Sequence, residues 1–104
     1  MTKIDGYKFK GEFSIGGEDV PPVGGVFVVI TTLGKKKFMV IDIDCSDNLR
    51  RTIKHHERRE EWLKKRKDEL YIMIYKEQSE GIRNGIVADL RDVRKKNICG
   101  DVYS

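Results

Sequence analysis

The sequence has little from which to build a cross-linked, metal-clasping or membrane-spanning protein. Its two cysteines, Cys45 and Cys99, sit in no CxxC pair, which argues against a metal knuckle. The first ten residues mix charges with isolated apolar side chains and do not read as a signal peptide. Both thiols are therefore expected reduced and the protein cytoplasmic. The longest apolar run, residues 24–30, is far too short to cross a bilayer, so no membrane partner is expected. Proline occurs only as Pro21-Pro22, and no repeat or low-complexity segment interrupts the chain.

A length of 104 residues allows one domain. Hydrophobic residues at 38% suffice for a modest core, while charged residues at 37% exceed the usual quarter. That surplus reads equally as ion-pair networks or as a heavily solvated surface. The charge is uneven. Residues 50–67 hold nine bases (Arg50, Arg51, Lys54, Arg58, Arg59, Lys64, Lys65, Arg66, Lys67) and three acids, a local charge of +6. The remaining 12 bases and 14 acids leave the rest at −2, so a polyanion meets this segment first.

Residues 1–24 are weakly patterned. Tyr7, Phe9 and Phe13 alternate loosely with polar residues, which suggests a short edge strand or an extended arm leading into a breaker-rich loop. Residues 25–32 (GVFVVITT) are continuously apolar, β-branched and aromatic, the composition of a strand buried on both faces. Leu33-Gly34-Lys35-Lys36 reads as a hairpin turn, with Gly34 free to take positive φ. Residues 37–44 (KFMVIDID) return as a second strand. Strict alternation puts Phe38, Val40, Asp42 and Asp44 on one face, and Met39, Ile41 and Ile43 on the other. Ser46 or Asp47 is expected to cap a helix from about Asn48, with Leu49, Ile53 and His56 on its apolar stripe. The pattern leaves open whether that helix runs on through Trp62 or breaks near Arg58. Residues 70–75 (LYIMIY) form a third buried strand, and residues 80–95 a last helix carrying Ile82, Ile86, Leu90 and Val93 on one face. The expected fold is α+β: a small, mainly antiparallel three-stranded sheet flanked by helices, in the order β-hairpin, helix, strand, helix. Residues 1–24 serve as arm and loop and residues 25–104 as the domain.

With certain residues, this order resembles the GIY-YIG nuclease domain. Gly25-Val26-Phe27 matches the namesake tripeptide with Phe for Tyr. Ser46-Asp47-Asn48-Leu49 opens a basic helix that ends at His55-His56, as in the family. Ile86-Val87-Ala88-Asp89-Leu90 corresponds to a later helical motif. The resemblance covers roughly residues 22–99. It implies catalytic positions at Phe27, Asp42, Thr52 and Val87, where the family carries two tyrosines, an arginine and a metal-binding glutamate. Metal-assisted phosphodiester hydrolysis needs a carboxylate for the metal and a cation for the phosphate. Val87 and Thr52 supply neither, so the resemblance implies an inherited fold without nuclease activity.

Three functions remain open from the residues. The first is a non-catalytic module that binds DNA or RNA through Arg50, Arg51, Lys54, Arg58, Arg59, Lys64 and Lys65. Trp62 is placed either on a base or, more commonly for such a residue, in the core. The second is an enzyme with a relocated divalent-metal site at Asp42, Asp44 and one histidine, His55 being the candidate. Against it, acids at a strand end commonly face water, and adjacent histidines on a helix diverge too far to share a metal. The third is a subunit docking an acidic protein partner. Glu57, Glu60 and Glu61 are spaced to pair with nearby bases, which is how a solvated helix looks. No cofactor is expected outside the metal alternative.

Overall fold

The computed structural model of the chain describes residues 2–4, 6–35, 37–96 and 102–103, without the side chains of 2, 93–96 and 102–103. Lys36, Cys99 and the side chain of Val93 thus fall outside the described residues. The continuously apolar segment becomes β3 (Gly25–Thr32) and lies inside the sheet, with every residue but Thr32 buried. β4 (Phe38–Ser46) pairs antiparallel on one side of it and β5 (Leu70–Lys76) antiparallel on the other. Between β3 and β4 the chain turns through Gly34, whose φ of +93° explains the glycine.

The expected three-stranded sheet is overturned. Among the described residues the strand order is β1-β2-β5-β3-β4-β6, all antiparallel, with three helices. β1 (Thr2–Ile4) and β2 (Tyr7–Phe13) add to the far side of β5, and the short β6 (Val102–Tyr103) pairs with β4. A three-stranded sheet would leave the backbone groups of β5 unpaired along one edge, and β2 satisfies them. β2 is faint in the sequence because only Phe9 of its seven residues is fully buried.

Side chains of β3 alternate between two cores. Val26, Val28 and Ile30 pack with Phe9, Met73, Ile86, Val87 and Leu90 under α3 (Glu80–Lys96). Phe27 and Val29 pack with Leu49, Ile53, Trp62, Ile72 and Ile74 under α1 (Leu49–Lys54) and α2 (Arg59–Lys65). Each fully buried large side chain here contributes about 1.5–3 kcal/mol relative to exposure. The apolar face of α3 is centred on Arg83, Ile86, Val87 and Leu90, and not on Ile82, which is 53% exposed. Both sets fit a helical period, and packing on the sheet decides between them.

Strict alternation along β4 also fails. Ile30 pairs with Val40 but Val29 pairs with Asp42, so Ile41 is an extra residue, a β-bulge. Phe38 and Val40 therefore share the α3 core with Ile43 and Cys45, while Ile41 packs in the other core. Asp42 and Asp44 stand opposite Val29 and Phe27 and so point toward α1 and α2. This one inserted residue aims both carboxylates at the helical face.

Candidate functional site

The helix predicted from Ser46 or Asp47 is capped instead by Asn48, whose side-chain oxygen accepts the Arg51 amide at 3.1 Å. Ser46 folds back, its hydroxyl accepting the Asn48 amide and sharing a hydrogen bond with Thr52. Gly25 is required where α1 meets the sheet, because a Cβ there would lie 2.5 Å from the Tyr75 carbonyl oxygen and 2.9 Å from the Leu49 side chain. α1 then ends at Lys54, and residues 55–58 separate it from α2. The helix breaks, and the break delivers His56 and Arg58 to the bulged strand.

Arg58 grips both carboxylates. Its Nε donates to Asp42 Oδ2 at 2.8 Å, and its Nη2 donates to Asp42 Oδ1 at 3.2 Å and Asp44 Oδ2 at 3.0 Å. Trp62 Nε1 donates to Asp42 Oδ2 at 2.6 Å. His56 Nε2 lies 3.1 Å from Asp44 Oδ2, and its Nδ1 accepts the Arg58 backbone amide at 3.1 Å. An amide can only donate, so neutral His56 carries its proton on Nε2 and donates it to Asp44. The remaining carboxylate oxygen, Asp44 Oδ1, accepts the Cys45 amide. Beneath this network Phe27, His56 and Trp62 form an aromatic cluster, with Phe27 edge-on to both rings.

Burial pushes the Asp44 carboxyl up, but the Cys45 amide, the His56 ring and the Arg58 guanidinium outweigh it and hold its pKa below the ordinary value. The hydrogen bond to Asp42 raises Arg58 above its ordinary value, partly opposed by burial. All four carboxylate oxygens thus accept protein donors, in an arrangement that braces α2 against β4. Among the described residues, no group of three or more His, Cys, Asp or Glu side chains converges as a metal site would. His55, the histidine singled out from the sequence, is exposed at the end of α1, and His56 holds the place beside Asp44. An open cleft of about 550 Å³ adjoins the network, lined by Asp44, Arg51, Thr52, His55, His56 and Glu57.

Of the four positions that the nuclease resemblance implies, three lie on the α1–α2 side of the sheet and Val87 lies on the other. Phe27 is fully buried, Asp42 is tied to Arg58 and Trp62, and Thr52 is on α1. Val87 is buried in the core on the other side of the sheet. Trp62 is 1% exposed, a core anchor that no base can reach.

The basic segment divides into two groups. Arg50 donates to the Val20 carbonyl, Arg58 to the aspartates, Arg59 to the Ile15 and Ile53 carbonyls, and Arg66 to the Asp68 carbonyl with Glu69 nearby. Arg51, Lys54, Lys64, Lys65 and Lys67 are exposed, and their side chains have no hydrogen bond or ion pair among the described residues. The expected pairing of Glu57, Glu60 and Glu61 with neighbouring bases is not found among them either. Charge spacing alone does not separate a cation that ties a loop down from one that faces water.

No family model matches the chain, and neither a curated protein nor a solved structure does so significantly. The fold and site define an antiparallel α+β domain in which an Asp–Arg–His–Trp network fixes two basic helices to one face of the sheet. No helix among the described residues is long and apolar enough to cross a membrane.

Proposed function

We propose that the chain is a GIY-YIG-like module that binds DNA or RNA without cleaving it, using the outer face of α1 and α2. The observation that carries this reading is the group of five exposed cations whose side chains have no hydrogen bond or ion pair among the described residues: Arg51, Lys54, Lys64, Lys65 and Lys67. Four of them project from short helices held in place by the buried side chains of Leu49, Ile53 and Trp62, and Lys67 follows just beyond the end of α2. Cations so placed suit phosphates, and with Trp62 buried no aromatic anchor is offered to a base. Binding is therefore driven by counterion release, with little sequence preference. A relocated metal site draws no support from Asp42 and Asp44, whose oxygens already accept protein donors.

The test is fluorescence anisotropy with a labelled duplex and a labelled single strand at several salt concentrations. Binding that weakens steeply with salt is expected for both. Absence of binding at low salt would leave the helical face merely solvated, and selective capture of an acidic protein instead would favour a protein-docking role.

A further inference from the structure

A second basic surface lies outside the segment that dominates the charge of the sequence. Lys3 on β1 pairs directly with Lys8 on β2, and Lys10 on β2 pairs with Ile74 on β5. Partners across an antiparallel ladder point to the same face, and residues two apart on a strand do so as well. Ile74 belongs to the core under α1 and α2, so Lys8, Lys10 and Lys3 face that side of the sheet. Phe9 and Ile4, between and opposite them, belong to the α3 core, as the alternation requires. Lys76, two residues beyond Ile74 on β5, joins the same face. All four lysines are exposed and have no ion pair or side-chain hydrogen bond among the described residues.

We infer that Lys3, Lys8, Lys10 and Lys76 form a phosphate-binding platform, on which the nucleic-acid backbone continues beyond the α1–α2 face. The inference rests on the nucleic-acid reading above and extends it to a different part of the sheet. Lysines directly across a ladder repel one another, so their placement costs stability unless an anion lies over them. Along a strand their spacing is about 7 Å and between strands about 5 Å. Such a fixed grid of point charges suits a chain of regularly spaced phosphates better than a single carboxylate. No aromatic side chain stands on this face between them, so the contact is to the backbone and independent of sequence. Lysine on an edge strand also discourages strand-to-strand association, and the experiment separates the two roles.

The experiment compares the full chain with K3Q/K8Q/K10Q/K76Q and with K3R/K8R/K10R/K76R, on a labelled duplex of random sequence across a salt series. For each lysine in contact, the glutamine variant should flatten the log–log salt slope by about 0.9, while the arginine variant keeps the slope. The melting temperature of the glutamine variant at low salt should equal or exceed that of the parent, because repulsion has been removed. An unchanged slope in the glutamine variant overturns the platform, and self-association of that variant in sedimentation would then identify the lysines as edge protection only. If R51Q/K54Q/K64Q/K65Q leaves binding intact while the platform variant flattens the slope, the α1–α2 reading fails and the platform stands. The reverse result removes the platform and keeps the α1–α2 face.

Discussion

Trp62 and Asp42 meet at 2.6 Å, the indole Nε1 donating to carboxylate Oδ2. One residue is the buried anchor of α2 and the other is presented by the bulge in β4, so the contact joins the helix to the sheet at a point where both are fixed. Replacing Asp42 by Ala strands a buried indole N–H and removes both Arg58 contacts to that carboxylate. Loss of hydrogen bonds from charged partners costs about 2 kcal/mol, or roughly 10 °C in Tm for a domain of this size. Thermal denaturation followed by circular dichroism measures it. A fall of no more than a degree or two would show that the network does not brace the fold.

Asp44 supplies a pH dependence of definite sign. Its pKa in the folded protein lies below the ordinary carboxylate value, so its ionised form is preferentially stabilised by folding. That contribution is complete above the unfolded-state pKa of about 3.9 and is lost as pH falls through the lower folded value. D44N should therefore be less stable than the parent at neutral pH, with the difference shrinking below about pH 4. Melting temperatures of both proteins across an acid series check this. A gap that stays constant as the pH falls would assign the loss to shape instead of charge.

The dispersal of Thr52 and Val87 over opposite faces of the sheet bears on rescue. T52R/V87E restores the residue types that the resemblance implies, yet the two side chains start from different sides of the sheet. No cleavage of plasmid DNA, single-stranded DNA or RNA with magnesium or manganese is expected from the parent or the variant. Val87 is also in a core, so V87E should cost about 3 kcal/mol through burial of an unpaired carboxylate. Metal-dependent cleavage by the variant, read on gels, would contradict this separation.

How much of this was legible in the sequence depends on the kind of signal. β3 and β5 were, because continuous apolar runs require cover on both faces. The short helix after β4 was also legible, though its cap is Asn48 and not Ser46 or Asp47. β1 and β2 were faint, since outer strands bury few side chains and show weak alternation. The bulge at Ile41 was invisible because residues 38–41 are all apolar and suit either face, and only pairing with β3 exposes the extra residue. The candidate site inherits that blindness. Asp42 and Asp44 were singled out together, but Arg58 was assigned to a nucleic-acid face and His55 favoured over His56. Neither partner can be identified until the bulge and the helix break are known.

The central claim is the division of the basic segment into cations that hold the fold and cations that meet phosphate. It is tested most directly by measuring, for two variants side by side, the melting temperature and the salt slope of duplex binding. R50Q/R58Q/R59Q removes cations tied to Val20, to Asp42 and Asp44, and to Ile15 and Ile53. R51Q/K54Q/K64Q/K65Q removes exposed ones. The expected result is a Tm lowered by 10 °C or more in the first variant, at about 1 kcal/mol or more per lost charged hydrogen bond. In the second, Tm should be nearly unchanged and the log–log slope less steep by about 3.6, at about 0.9 per phosphate contact. A second variant with the parent's slope, or a first variant with the parent's Tm, would contradict the division.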